Sequence, residues 1–342
     1  MTGFLLALAL IWGLGQWLGF PLRMRAGLTA ILFAAVLLAH GLLPADHALP
    51  RAIGGSFAGW ATFAGVLALV ALYARGLGWL RARAPEAEAA QTGPFSDTEL
   101  DRYARHIVLR EIGGPGQKAL KEARVLVVGA GGLGSPALLY LAAAGVGTIG
   151  VIDDDTVSNS NLQRQVIHGD ADIGAPKVFS AEAAMRALNP HIDVRPYNRR
   201  LTEEIAADLF AEYDLILEGS DNFATRYLVN RVAAGLGKPV IGGAISQWEG
   251  QLATWDPAAG APCYACVFPE APAPGLAPSC AEAGVIGPLP GVIGAMMAGE
   301  AVKEIAGAGE GLRGRLLIWD GLFAEARIIK TKKRADCPVC GG

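Results

Sequence analysis

A strand, a glycine-rich turn and a helix follow one another near the middle of the chain, and this succession limits its fold more than any other feature. Residues 125–128 are apolar and mostly β-branched, which is typical of a buried parallel strand. Four glycines come directly after them: Gly129, Gly131, Gly132 and Gly134. Pro136 then stands early in a helix, where its missing N–H is tolerated. A second strand at 148–152 ends in Asp153, so the order predicts half of a nucleotide-binding βαβ unit.

The residues after the second strand indicate which nucleotide this unit would bind. Glycines let the backbone approach phosphate, the helix N-terminus offers free N–H groups, and Asp153 stands where a carboxylate accepts from ribose hydroxyls. Many NAD-dependent oxidoreductases share these features. Asn161, Arg164 and Lys177 follow, however, and two cations with an amide suit a triphosphate better than a dinucleotide. The sequence therefore favours ATP, and an NAD-dependent oxidoreductase is the alternative, with no use for these three residues together.

The second half of the chain alternates strands with helices, which predicts a doubly wound, Rossmann-like and mostly parallel sheet. Three further strands, at 250–255, 315–319 and 323–329, predict a C-terminal antiparallel part. Asp221 and Asn222 follow the buried strand 214–217. Because ligands bind at the carboxyl ends of parallel strands, we expect Asp153 and Asp221 to face one site. The alternative for Asp221 is that it only caps the next helix.

Four of the five cysteines form two CxxC pairs about seventy residues apart: Cys263, Cys266, Cys337 and Cys340. Four thiolates are sufficient for a closed tetrahedral zinc site, which predicts structural Zn²⁺ that joins the C-terminal tail to the first pair. A redox CxxC is the alternative. Such a motif is expected at a helix start after a strand, and neither pair stands in that position. The fifth, Cys280, stands outside the two pairs.

The first eighty residues hold most of the excess of apolar residues, since the whole chain is 52% hydrophobic and only 18% charged. Three apolar runs occur there, at residues 3–22, 26–43 and 53–73. Each would form a helix roughly 27–31 Å long, close to the hydrocarbon thickness of a bilayer, so we expect three transmembrane helices. A signal peptide is less suitable, because no basic residue precedes the first run.

Basic residues in the flanking loops predict how these spans are oriented. Arg23 and Arg25 separate the first two runs, and Arg75 follows the third, with Arg81 and Arg83 beyond it. The positive-inside rule then places the N-terminus outside and the catalytic part in the cytoplasm, as a multi-pass protein of the inner membrane. The predicted domains are a membrane anchor at 1–83, a linker at 84–95 and a catalytic domain at 96–342. A net charge of −3 gives no reason to expect a nucleic-acid partner.

Five motifs occur in a fixed order: GAGGLGS, DDDTVSNSNLQRQ, GAPK, GSDN and the paired CxxC. Together they resemble the MoeB/ThiF/HesA family, bacterial relatives of ubiquitin-activating enzymes, over residues 96 to 342. Within it the chain looks closest to the molybdopterin-synthase adenylyltransferases. The resemblance implies ATP-dependent adenylation of the C-terminal glycine of a ubiquitin-fold sulfur carrier ending in Gly-Gly, in molybdenum cofactor biosynthesis. Alternatives are a thiamine-pathway carrier, adenylation-driven tRNA dehydration, and a scaffold without turnover.

The resemblance also implies roles for individual residues. The glycine loop would lie against the nucleotide and Asp153 would hold the ribose. Arg164 and Lys177 would neutralise phosphates beside Asn161. Asp221, with Asn222 in the same motif, would serve Mg²⁺ or orient the reacting groups. Arg105 matches an arginine that reaches the ATP of a partner subunit, which implies a homodimer; the alternative is a surface charge on a helix. Some relatives use a cysteine at the place of Cys280 for thioester or persulfide chemistry; the alternative is an inert loop cysteine.

Overall fold

The computed structural model describes residues 2–44, 46–83, 93–273 and 280–341. The chain divides into two compact units, Met1–Gln91 and Thr92–Gly342. Most of the predicted linker, residues 84–92, lies outside the described residues. Each unit is therefore considered by itself.

The described residues of the first unit form helices and no strand. Its elements are α1 (Thr2–Ala9), a π-helical turn (Leu10–Leu14), α2 (Gly15–Trp17), α3 (Leu22–Leu42), α4 (Ala48–Ile53) and α5 (Phe57–Arg83). The aromatic rings of Phe4, Phe33 and Trp60 meet edge to face and join its first, third and fifth helices. Among the described residues, only Leu22–Leu42 and Phe57–Leu80 are long and apolar enough to cross a membrane.

The prediction of three spanning helices is therefore wrong, because the first run does not form one. Its apolar helical stretch is Phe4–Trp17, which at 1.5 Å per residue is about 21 Å long and too short for a hydrocarbon core of about 30 Å. Gly19 adopts a positive φ of 73° directly afterwards. Pro21 follows with extended backbone and no N–H, so the helix cannot continue into the rest of the run.

The second unit begins with α6 (Asp97–Ile107) and α7 (Gly113–Glu122), and a full capping box at Ser96 and Glu99 starts the first of these helices. The elements that follow are β1 (Arg124–Val128), α8 (Gly134–Ala144), β2 (Thr148–Asp153), α9 (Lys177–Leu188), β3 (Asp193–Asn198), α10 (Glu203–Ala211), β4 (Leu215–Glu218), α11 (Phe223–Gly235), β5 (Val240–Ser246), β6 (Glu249–Trp255), α12 (Tyr264–Val267), α13 (Cys280–Ala283), α14 (Pro288–Ala306), β7 (Arg315–Asp320) and β8 (Glu325–Lys330).

All eight strands form one sheet in the order β3-β2-β1-β4-β5-β6-β7-β8. The pairs among the first five are parallel, and those from β5 to β8 are antiparallel. The chain leaves β1 towards β2 on one side and returns to β4 on the other, so the strand order reverses beside β1. Such a switch point opens a crevice at the carboxyl ends of the strands. The predicted α/β fold with an antiparallel end is confirmed in this unit.

Helices cover both faces of the sheet, and the residue pattern of β1 shows why. Val125 and Val127 face one core with α8, α9 and α14, while Leu126 and Val128 face the other with α10 and α11. Successive strand residues point to opposite faces, so a strand buried on both sides must be apolar throughout.

Candidate active site

A cavity of about 890 Å³ opens at the switch point, where β1 and β4 end side by side. Gly129 follows β1 with a φ of 97°, a left-handed conformation that favours glycine. A Cβ there would lie 3.2 Å from the carbonyl oxygen of Gly219, which follows β4. The two strand ends therefore meet through backbone atoms, and they leave the space above them open.

The glycine loop brings the start of α8 to the same cavity. A Cβ on Gly134 would lie only 1.9 Å from the carbonyl oxygen of Gly129, so no other residue fits without moving the backbone. Gly131 and Gly132 line the cavity. The free N–H groups and positive end of an 11-residue helix thus face a space that suits an anion.

Asp153, at the end of β2, is both a cavity residue and a clamp on the loop. Its Oδ2 accepts the N–H of Ala130 at 2.7 Å, and its Oδ1 accepts the N–H of Asp155 at 2.8 Å. A carboxylate oxygen has two lone pairs, so each still has one for a ligand hydroxyl. The geometry agrees with the predicted ribose role and adds a structural one.

Lys177 and Arg164 both line the cavity, but they are held differently. Lys177 begins α9, its side chain is 6% exposed, and its Nζ lies 2.8 Å from Asp155 Oδ2. Arg164 donates to the carbonyl oxygen of Ser160 at 2.9 Å, and it has no ion pair within the described ranges. The guanidinium of Arg164 therefore keeps donors for an anion that enters from outside.

Asn161 is not among the cavity residues. Its Oδ1 accepts the N–H of Ser158 at 3.3 Å and so caps the short turn that carries Arg164. Asn222 accepts the N–H of Thr225 at 2.8 Å and caps α11, while Asp221 is exposed, lines the cavity and does not take that capping position. The N-cap of α11 is therefore Asn222, and Asp221 is not a helix cap.

Arg105 lies on α6, is exposed, and is not among the cavity residues of its own chain. It has no ion pair in the part of the chain that the structure describes. This placement agrees with a residue that serves another subunit, and equally with a plain surface charge, so the role of Arg105 stays a prediction.

Sequence reasoning missed a buried ion pair beneath the cavity. Glu218 ends β4, and its Oε2 lies 2.9 Å from Nε of Arg226 on α11, with side chains only 3% and 13% exposed. Arg226 also donates to the carbonyl oxygens of Ser220 and Gly243. The pair fixes the loop that carries Asp221. Arg199 and Arg200 also line the cavity, and they directly follow β3. Like Asp153, they stand at the end of a parallel strand, which is the sequence signal for this placement.

His168 was also missed, and it lies under the glycine loop. Its Nε2 is 2.9 Å from the carbonyl oxygen of Ala130, so it must donate there. Its Nδ1 is 2.8 Å from Ser180 Oγ, which lies 2.8 Å from Asp172 Oδ2. Since Asp153 holds the N–H of the same alanine, the two peptide groups that flank Ala130 are both fixed. A lone histidine in a sequence gives no signal of such a role.

We expect His168→Leu to lower the free energy of unfolding by about 1–3 kcal/mol, because the buried Ala130 carbonyl loses its donor. Burial lowers the pKa of His168, and the nearby Lys177 acts in the same direction. The unfolded state therefore binds the proton first, and stability falls as the pH drops below about 6.5 until the folded pKa is passed. Urea unfolding between pH 5 and 8 should show a smaller pH dependence in the variant; an identical dependence would remove His168 from the account.

The four cysteines of the CxxC pairs come together beside α11. Their sulfur atoms all lie within 4.8 Å of one another, with 3.6 Å between Cys263 and Cys337 and 3.4 Å between Cys266 and Cys340. Tetrahedral Zn–S bonds of about 2.3 Å place sulfur atoms about 3.8 Å apart, so the donor set fits zinc. Asn230 of α11 lies 3.7 Å from Cys263 Sγ through its Nδ2 and accepts the N–H of Tyr264. The side chain of Cys280 lies outside the described part of the structure.

A glycine-rich crevice at the switch point, with cations above it, defines a nucleotide-binding α/β protein. The ThiF family model matches residues 103–339, so the chain belongs to the ThiF family, as its motifs predict. It is 50% identical over 251 residues to the sulfur carrier protein adenylyltransferase of Thermus thermophilus, covering 72% of this chain and 93% of that one. It is also 50% identical over 244 residues to the SAMP-activating enzyme E1 of Haloferax volcanii, covering 71% and 90%.

Solved structures agree on the fold. The crystal structure of Escherichia coli MccB superposes with a TM-score of 0.62 at 22% identity, covering 70% of this chain and 72% of MccB. At that identity the likeness concerns the fold alone. The family match and the Thermus thermophilus relative, which is named an adenylyltransferase, confirm the prediction that the chain is an enzyme of this class.

Proposed function

We propose that the chain uses ATP to adenylate the C-terminal glycine of a ubiquitin-fold sulfur carrier. The observation that carries this proposal is the cavity itself, which holds the glycine loop, Asp153, Arg164, Lys177 and Asp221 around one opening at the switch point. The name and the 50% identity of the Thermus thermophilus relative support the choice of a carrier protein as substrate.

The reaction needs little acid–base chemistry from the protein. A carboxylate is already an anion at neutral pH, so its oxygen attacks the α-phosphorus of ATP directly. The new C–O–P bond forms as the bond from the α-phosphorus to the bridging oxygen breaks, and pyrophosphate leaves with that electron pair. Arg164 and Lys177 neutralise the charge on the phosphates, and the N-terminus of α8 orients the phosphates. The absence of a histidine base among the cavity residues is consistent with this step.

A divalent cation fits the same site through Asp221. Its exposed carboxylate lines the cavity and has no ion pair in the described residues, and hard oxygen donors are what Mg²⁺ prefers. When bound there, Mg²⁺ would neutralise phosphate charge. Asp153 and Asp155 are less available, because one carboxylate holds two backbone N–H groups and the other holds Lys177.

The test is ATP–pyrophosphate exchange with purified carriers that end in Gly-Gly. We propose the molybdopterin-synthase small subunit as the first carrier, and a thiamine-pathway carrier is its direct competitor in the same assay. Carrier-dependent exchange supports the proposal, whereas exchange with no such carrier would contradict it.

We also propose that the active form is a homodimer in which Arg105 completes the site of the partner. Mixing inactive Arg105→Ala and Arg164→Ala chains should then restore activity, because a mixed dimer contains one site with both arginines. Random pairing gives half mixed dimers with one good site of two, so we expect about a quarter of wild-type exchange after co-refolding or co-expression. If Arg105 acts within its own chain, the mixture stays inactive.

We propose further that α3 and α5 cross a membrane as a hairpin. The most apolar window of α5 is 0% buried and that of α3 is 11% buried, which leaves large apolar side chains such as Leu69 and Leu72 exposed. Arg23 and Arg25 begin α3 and Arg75 lies towards the end of α5, so the positive-inside rule places both ends and the following unit in the cytoplasm. The predicted outside position of the N-terminus required a third crossing, and the described residues contain only two candidate spans.

The membrane proposal predicts that the full chain stays in the membrane pellet after alkaline carbonate extraction. A chain that begins at Thr92 should move to the supernatant and keep carrier-dependent exchange. Release of the full chain by carbonate would contradict the two crossings.

A further inference from the structure

Gln165 is a buried amide beside the glycine loop, and it has no part in the proposed adenylation mechanism. The residue is 4% exposed, and its Oε1 is buried with no hydrogen-bond partner in the part of the chain that the structure describes. Buried amides in folded proteins are nearly always hydrogen-bonded, because an unpaired one keeps the full cost of its desolvation. An exception of this kind calls for a ligand or a functional reason.

The surroundings of the side chain show where a ligand would meet it. Gln165 lines the cavity together with Gly131, Arg164 and Lys177. Its Nε2 would lie 3.8 Å from a Cβ on Gly131, so the amide rests against the glycine loop. The N–H of Gln165 donates to the carbonyl oxygen of Asn161 at 3.0 Å, and the same turn fixes Arg164. The backbone of Gln165 is therefore fixed beside the loop, while the Oε1 of its side chain is left without a hydrogen bond.

We propose that Gln165 binds the polyphosphate of the nucleotide directly, donating its amide N–H to a phosphate oxygen between the glycine loop and Arg164. The inference rests on the proposed ATP site and deepens it. The last torsion of a glutamine is broad, so the amide can turn to give its N–H to the phosphate and its oxygen to an N–H of the loop. A neutral donor adds directionality to the charge that Arg164 supplies.

The experiment compares ATP binding and thermal unfolding of the full chain with those of three variants. Gln165→Met keeps the length of the side chain but has no donor. Gln165→Glu keeps its shape but accepts only and repels phosphate. Gln163→Met is the matched control, since Gln163 lies two residues earlier, is exposed and is not among the cavity residues. Binding is measured by calorimetry with ATP and Mg²⁺, and unfolding without nucleotide.

We expect Gln165→Met to weaken ATP binding about 10–100-fold. Its melting temperature without nucleotide should equal or exceed that of the wild type, because the unsatisfied amide is gone. Gln165→Glu should weaken binding at least as much, and the control should change neither quantity.

Three results would overturn the inference. Wild-type affinity in Gln165→Met would remove the contact, and wild-type affinity in Gln165→Glu would mean that the amide accepts from the ligand instead of donating to phosphate. If Gln165→Met lowers the melting temperature without nucleotide as well as weakening ATP binding, lost packing explains both effects. Gln165 would then be a packing residue. If the wild type binds no ATP, the proposed function fails as well, which separates that failure from the other three.

Discussion

Replacing Arg164 by alanine should lower carrier-dependent ATP–pyrophosphate exchange by about 10²–10³-fold, the usual effect of removing one preorganised donor from developing negative charge. The effect is large because Arg164 has no ion pair within the described residues, so its charge is available to the phosphates. The loss should fall mainly on the rate at saturating ATP. Initial exchange rates across a range of ATP concentrations measure it.

Arg231→Ala is the matched control for that variant. Arg231 lies on α11 and is half exposed, and its one ion pair among the described residues is with the exposed Glu203. Such surface pairs contribute about 0–1 kcal/mol. Exchange in this control should match the wild type. Arg164→Lys should recover part of the lost rate, since the charge returns without the planar fork. Full activity in Arg164→Ala would remove Arg164 from the mechanism.

Replacing Cys337 by serine should have the largest effect on stability. We propose that the four cysteines bind zinc, and loss of a structural metal typically costs more than about 4 kcal/mol. The tail after β8 is joined to the short helix α12 through these sulfur atoms, so the variant should lose both zinc and the attachment of the tail. Elemental analysis and urea unfolding of the purified chain measure the two losses.

Cys280→Ser serves as the control, because Cys280 is the one cysteine outside the two CxxC pairs. It should keep one equivalent of zinc and wild-type stability. Exchange in this control should also match the wild type, because thioester or persulfide chemistry at Cys280 would follow adenylation and would not change the exchange step. Wild-type zinc content and stability in Cys337→Ser would contradict the structural zinc site.

Much of the second unit was predictable because its signals are local. The apolar run of β1, the glycines after it and the acid after β2 each follow from short stretches, and the CxxC pairs come together as their spacing predicts. Strand-end reasoning also placed Asp153 and Asp221 at one cavity. These inferences need only the rule that parallel strands end at a common edge.

The failures concern residues whose roles depend on distant parts of the chain. Arg226 meets Glu218 because α11 packs against β4, and His168 meets Ala130, 38 positions away, because the turn after β2 folds back under the glycine loop. Neither contact leaves a pattern in the sequence. The prediction that the first apolar run spans a membrane was wrong for a different reason. Its composition suits a membrane, but Gly19 and Pro21 end the helix early. Hydropathy alone does not register such a stop.

Intact mass analysis of the carrier tests the central claim most directly. The full chain is incubated with ATP, Mg²⁺ and a carrier ending in Gly-Gly, with pyrophosphatase present to draw the reaction forward. We predict a carrier heavier by one adenylyl group, which hydroxylamine removes, and no such species with Arg164→Ala or with a carrier that lacks its last glycine. An unmodified carrier under these conditions, with ATP bound to the enzyme, would contradict the account.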